Sequence, residues 1–395
     1  PLTLNFIVAV IAAAPDLANI FSFIWSSLSH GRAKVPIVNL LQLAVVLLIA
    51  LMAFTPESLT GLVALTVLAM LARTCWSGII TLRPTIWRSN YPRAMRATVV
   101  GNLYTVQVLV VALVGIVVGM IMNVRPDALP MIVIAVAGVG LGAFVATRKL
   151  RVRHEASMLR GERDAAAVMK PWQGPAIVLQ VLRRDKMWAK FMLWMFVLGL
   201  GNMLMGPVLT IVLKDQFDLG YLESILITSS ITALVMPVSI PLWARYLDRS
   251  HVVKFRARQT WVFVVSAGTA CVGVLTHRVE WMYVTAVLQG IAYGGGSLAW
   301  NLGHVDFAPP SQTSQYMASH VTLNGIRGLL APFIAVGLYN LVVASGWDAL
   351  GMDLPSQAAA VVFALSAVMS AVGASGFAML LREMQAGGRI GPRAR

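Results

Sequence analysis

Apolar and polar positions alternate along this chain on a long scale. Runs of about 20 apolar residues, the length one helix needs to cross a bilayer, are cut by short polar turns. Eleven such runs are marked by the pattern: Leu4–Leu28, Pro36–Phe54, Leu59–Leu82, Thr98–Met122, Leu129–Thr147, Met187–Leu213, Leu222–Leu247, Phe255–Leu275, Trp281–Leu302, Met317–Ser345 and Ala358–Leu381. Each predicts a membrane-spanning helix. One longer polar segment, 148–186, divides the first five runs from the last six.

Composition agrees with the pattern. Hydrophobic residues make up 58% of the 395 positions and charged residues 12%, against about 25% charged in soluble domains. The net charge of +15 would suit a nucleic-acid partner, but its distribution argues against one. When the runs are threaded alternately across a membrane, one side collects Arg32, Lys34, Arg83, Arg88, Arg93, Arg96, the 148–186 segment, Arg245, Arg249, Lys254, Arg256, Arg258 and the C-terminal arginines. The other side holds only Arg125, Lys214 and Arg278, with eight acids: Glu57, Asp127, Asp215, Asp218, Glu223, Glu280, Asp348 and Asp353. Such an asymmetry places the basic side, and the C-terminus, in the cytoplasm. A bacterial inner membrane is the expected location.

Several chemistries find no support. Cys75 and Cys271 both fall inside runs, so a disulfide is not indicated. No metal-ligand cluster, nucleophile–base constellation or cofactor motif is present. Gly294-Gly-Gly296 lacks the lysine and hydroxyl residue of a phosphate loop. The chain is not expected to be an enzyme.

The two groups of runs repeat one another at an offset of about 215 positions. Trp25-Ser-Ser-Leu28 precedes a short basic turn, Ser-His-Gly-Arg32, and Trp243-Ala-Arg-Tyr-Leu-Asp248 precedes another, Arg249-Ser-His251. Trp87 through Gly101-Asn102 matches Trp300 through Asn324-Gly325. Parallel repeats of this kind mark transporters, with solute bound near the bilayer midplane. At this offset Met187–Leu213 has no partner in the first half, so one N-terminal helix is expected to be absent from the sequence. The expected organisation is a five-span bundle (1–147), a basic cytoplasmic linker (148–186), a six-span bundle (187–382) and a cytoplasmic tail (383–395). Within the linker, Pro175–Leu182 reads as a short interfacial amphipathic helix.

With these features the chain resembles the major facilitator superfamily over its whole length, minus that family's first helix. Leu28-Ser-His-Gly-Arg-Ala-Lys34 is similar to the family's loop signature, although its aspartate is lost. Leu247-Asp248-Arg249 keeps the acid–base pair. The resemblance implies a gate at Arg32, Lys34, Asp248 and Arg249, in which the aspartate caps a neighbouring helix. It implies two pseudo-symmetric all-helical bundles and secondary active transport by alternating access. Arg73-Thr-Cys-Trp-Ser-Gly78 resembles the arginine of the fourth family helix, with one extra residue before the glycine. The fifth family helix of drug-efflux antiporters carries a Gly-Pro pair. The corresponding span here, with Gly101, Gly115 and Gly119, does not.

Three ionisable side chains fall near mid-span: Asp16, Arg73 and Arg327. Charge at that depth is costly and should face protein or water. Guanidinium groups bind carboxylate or phosphate bidentately, so Arg73 and Arg327 point to an organic anion as the small-molecule substrate. Gln289, Tyr293 and Ser297 recur at four-residue spacing, as a helical face requires. His320, Asn324 and Arg327 share another face. Asn102 and Gln107 interrupt one span and Asn202 another. These, apart from Ser297, are with Arg73 the expected substrate-binding residues. Asp16 is the expected proton-coupling group, with the proton as coupling ion. Alternatives are a carrier exporting hydrophobic compounds, suggested by Met- and Trp-rich spans, and a non-transporting receptor, scaffold or subunit.

Overall fold

The computed structural model describes residues 16, 18–165 and 174–388. Among them every regular element is a helix. In chain order these are α1 (Ser22–Ser29), α2 (Lys34–Met52), α3 (Leu59–Asn90), α4 (Arg93–Val124), α5 (Leu129–Thr147), α6 (Glu155–Ala165), α7 (Gly174–Arg184), α8 (Lys186–Asp215), α9 (Tyr221–Ile225), α10 (Ile231–Asp248), α11 (Val252–Gln259), α12 (Trp261–Thr276), α13 (Glu280–Leu302), α14 (Thr313–Ser345) and α15 (Leu354–Ala386). A single π turn, Leu226–Ser230, joins α9 to α10.

Nine helices among the described residues are long and apolar enough to cross a membrane. All nine correspond to runs marked in the sequence and retain their order, the one in α4 covering its first part. Of the two other marked runs, Leu4–Leu28 lies mostly outside the described residues. Trp281–Leu302 forms the continuous 23-residue helix α13, whose tryptophans, tyrosines, glycines and Gln289 lower its apolar character. The outward faces are strongly apolar: Phe54, Val139 and Phe333 are each about three-quarters exposed. Such surface suits lipid rather than water.

The chain divides into two compact units. One comprises Pro1–Pro92, Leu113–Asp185 and Phe307–Ile326; the other comprises Arg93–Ala112, Lys186–Asp306 and Arg327–Arg395. In the first, α2 packs on α3 and α5, around Val35, Val38, Leu41, Ile79, Leu82 and Ile86. In the second, α15 packs on α8 and α12, and α10 on α13. Its core runs from Leu204 and Val208 through Ala270 and Ala335 to Phe363. The small residues Ala267, Ala270, Ala358 and Ala359 are fully buried there, which lets helix backbones approach closely.

The repeat seen in the sequence is present in side-chain detail. The indole Nε1 of Trp25 donates to the carbonyl of Thr74 at 2.8 Å, and that of Trp243 to the carbonyl of Ile291, also at 2.8 Å. Gly78 lies against the Trp25 ring and Gly295 against the Trp243 ring, each so close that a Cβ would overlap it. The partners of the two tryptophans are 217 positions apart in both cases, Thr74 to Ile291 and Gly78 to Gly295. Each copy lies within its own unit.

Candidate functional site

The second unit carries buried positive charge. Arg327 stands on α14, fourteen residues from its start, or ~21 Å along the axis. It is 8% exposed, and Arg256 on α11 is 3% exposed. Their charges interact. Arg256 Nη1 donates to Gln259 Oε1 at 2.8 Å, and Gln259 Nε2 donates to the Ala292 carbonyl at 2.7 Å. This orients Arg256 and ties α11 to α13. Arg327 Nη1 donates to the Met195 carbonyl of α8 at 2.6 Å. Gly199, one turn along α8, presents no side chain, and the guanidinium fills the space a Cβ would take.

Polar groups accompany this charge. Asn202 Nδ2 on α8 donates to the Tyr293 hydroxyl of α13 at 3.1 Å. Tyr293 is fixed from another side by Phe263, edge-on at 5.5 Å. Gln289 is buried one turn before Tyr293, beside Met205. The face predicted by the spacing of Gln289 and Tyr293 therefore meets Asn202 and Met205 of α8. Arg256, by contrast, reads in the sequence as one more basic residue of the cytoplasmic side, at the start of the run Phe255–Leu275. Its burial follows from α11 packing on α15 and α13, a tertiary event that leaves no periodic trace.

Among the described residues, Asp248 is the one carboxylate of this unit in the buried class. Its oxygens accept from the amides of Ala97 at 2.7 Å and Thr98 at 2.9 Å and from the Thr98 hydroxyl at 2.5 Å. A carboxylate near a helix N-terminus meets the positive end of the helix dipole, and here it anchors the start of α4. Arg249 beside it is exposed. Asp306 binds Arg93 at 2.9 Å and accepts from the Val252 amide at 2.8 Å.

The remaining sequence-marked positions differ in exposure. Asn102 and Gln107 are exposed on α4. Arg73 is exposed on α3, in the first unit. His320 and Asn324 are buried on the part of α14 that belongs to the first unit. Asp16 is half-buried in that unit, its backbone against Gly325. In the turn after α1, Arg32 is exposed, whereas Lys34 is fully buried and pairs with Glu162 at 2.7 Å.

The Major Facilitator Superfamily sequence model matches residues 1–332. No curated protein matches the chain in a sequence search. Among solved structures, the fold is similar to the proton:xylose symporter XylE bound to 6-bromo-6-deoxy-D-glucose, with a TM-score of 0.66 at 10% identity over 94% of this chain and 85% of that one. It is similar to the human organic anion transporter MFSD10 (TETRAN), with a TM-score of 0.64 at 15% identity over 91% and 83%. It is also similar to a bacterial homologue of the iron transporter ferroportin in an outward-facing state, with a TM-score of 0.63 at 14% identity over 96% and 90%.

Proposed function

Because the chain belongs to the major facilitator superfamily, and so is a multi-pass membrane protein built to move a small solute, we propose that its solute is an organic anion held by the Arg327 guanidinium. The observation that carries this reading is the charge balance inside the second unit. Two interacting guanidiniums, Arg256 and Arg327, are buried there. The buried carboxylate of the same unit, Asp248, is engaged by the start of α4. Burying like charge together is costly in a low-dielectric interior, and an incoming carboxylate or phosphate offsets that cost. Tyr293 and Asn202 supply neutral hydrogen bonds to the rest of the solute. The buried guanidiniums also disfavour a carrier for hydrophobic compounds.

Transport is by alternating access, with protons as the coupling ion and Asp16 as the group that carries them. The basic turns and the C-terminus face the cytoplasm, and a bacterial inner membrane suits the charge pattern. The test is electrogenic uptake by proteoliposomes on a solid-supported membrane, with panels of mono- and dicarboxylates, phosphate esters, neutral sugars and organic cations. Currents confined to anions, lost in Arg327→Gln and partly kept in Arg327→Lys, are expected. Currents with sugars or cations that persist in Arg327→Gln would refute the assignment.

A further inference from the structure

The repeat assigns each half a copy of one device, and the first copy lacks its anion. In the second unit Asp248 holds the start of α4 through Ala97 and Thr98. The offset that relates Trp25 to Trp243 carries Asp248 onto His30, and the 217-position offset carries Ala97 and Thr98 onto Ser314 and Gln315, in the first turn of α14. No carboxylate stands at position 30. A cavity of about 270 Å³ lies there instead, lined by Ser26, Ser27, His30, Gln180, Arg184, Gln312, Gln315 and Tyr316, with Ile177 and Val181. All of these residues belong to the first unit.

The walls of this cavity are rich in donors. Ser26 and Ser27 are 1% and 8% exposed, and neither hydroxyl has a hydrogen-bond partner among the described residues. Several helical hydroxyls elsewhere in the unit return to their own backbone, Thr66 to Leu62, Thr74 to Met70 and Thr81 to Ser77, all at 2.7–2.8 Å, whereas that of Thr85 does not. Both ring nitrogens of His30 are likewise buried without a partner, as is the Ser314 hydroxyl. Arg184 adds a fixed positive charge at the wall. The nearby carboxylate, Asp185, already accepts from the Tyr316 hydroxyl at 2.9 Å. The frame is rigid: Ser22 Oγ bonds the Ala318 carbonyl and Thr322 at 3.0 Å, and Phe23, Val178 and Ala318 pack together beneath.

A buried donor left unmade is costly, so a set of them around one cavity marks a place for an acceptor. We propose that this cavity binds a small soluble oxyanion, phosphate or a phosphate ester, which takes the place of the lost aspartate carboxylate and locks α7 to the start of α14. Arg327 is not among the lining residues, and the site serves regulation or stability rather than carriage.

The experiment is thermal unfolding and titration calorimetry of the full chain in detergent with inorganic phosphate, at constant ionic strength set by chloride. Wild type should bind saturably and gain thermal stability. Arg184→Gln should bind about tenfold more weakly, as expected for the loss of one charge-assisted bond. His30→Asp restores the carboxylate within the protein. It should unfold at a higher temperature without phosphate and no longer respond to it. Arg327→Gln removes any phosphate held at the proposed transport site, and the stabilisation that remains in it should be the part that Arg184→Gln weakens. Absence of phosphate binding in wild type, an unchanged response in both Arg184→Gln and His30→Asp, or a response lost only in Arg327→Gln would overturn the proposal. Saturation by dioctanoyl phosphatidic acid but not by inorganic phosphate would assign the site to a lipid headgroup and overturn the soluble ligand.

Discussion

The guanidinium of Arg327 lies in the space that Gly199 leaves open on α8. A methyl group there overlaps the guanidinium and displaces it from the Met195 carbonyl, one turn earlier. Gly199→Ala should therefore destabilise the protein by about 1–3 kcal/mol, the usual cost of overpacking, and abolish anion-dependent currents. Removing the arginine removes the clash. In Gly199→Ala/Arg327→Ala the two stability effects should be strongly non-additive, as expected for residues in contact. Additive melting temperatures across that cycle would show that the two do not share this space.

Lys34 and Glu162 form an ion pair at 2.7 Å with both side chains essentially inaccessible. The Lys34 ammonium also donates to the Ser29 carbonyl at 2.6 Å, and the Glu162 carboxylate accepts from the Gly31 amide at 2.7 Å. Breaking a buried pair from one side leaves an uncompensated charge and costs about 3–5 kcal/mol. Lys34→Met alone should lower the unfolding temperature sharply. Lys34→Met/Glu162→Leu should recover much of the loss, since replacing both partners by apolar groups is often neutral. Equal melting temperatures for the single and double variants would contradict this account.

How much of this was legible in the sequence depends on the range of the interaction. Helix order and type follow from apolar runs, which are local, and the structure keeps them. The Trp25/Trp243 repeat was visible because both copies retain the same residue type. Arg327 stood out because a charge inside an apolar run is locally anomalous. Lys34 and Arg256 were not legible as buried groups. In the sequence Lys34 sits in a short basic turn and Arg256 at the cytoplasmic start of a run, and both look solvated; their burial is fixed by Glu162 and by Gln259 with α13 and α15. Lys34 and Glu162 are 128 positions apart, and no periodic signal spans such a distance. Arg73 shows the converse. It is anomalous in the sequence, yet α3 turns it to an exposed face.

Asp248 accepts three hydrogen bonds from α4, and bonds to a charged group contribute about 1.5–3 kcal/mol each. Asp248→Ala should destabilise the chain by a few kcal/mol at most, because water and relaxation recover part of the loss. Asp248→Asn, which keeps an acceptor, should cost less, and Thr98→Val about 1 kcal/mol. Differential scanning fluorimetry in detergent orders the variants. If Asp248→Ala melts with wild type, the carboxylate does not anchor α4.

Asp16 is proposed as the proton carrier. Replacing it by asparagine keeps the shape and removes the titration. Asp16→Asn should still exchange anions at equal pH on both sides of the membrane, yet fail to concentrate them when a pH gradient is imposed. The measurement is counterflow and gradient-driven uptake in the same proteoliposomes. Gradient-driven accumulation at the wild-type level would remove Asp16 from coupling.

Asp353 offers a pH-dependent test outside the membrane spans. Burial works to raise its carboxyl pKa, but the hydroxyl and amide of Ser356, at 2.8 and 3.0 Å, prevail with help from His277 and hold it below its ordinary value. A carboxyl depressed on folding contributes stability that is complete above its unfolded pKa, about 3.9. That contribution is lost as pH falls through the lower folded value. Melting temperature should thus fall on acidification below about pH 4, and this limb should be flatter in Asp353→Asn and Ser356→Ala. The two substitutions act on one bond set, so combining them should flatten the limb no further than either alone. An unchanged acid limb in both single variants would mean that the cap at the start of α15 contributes nothing to the acid response.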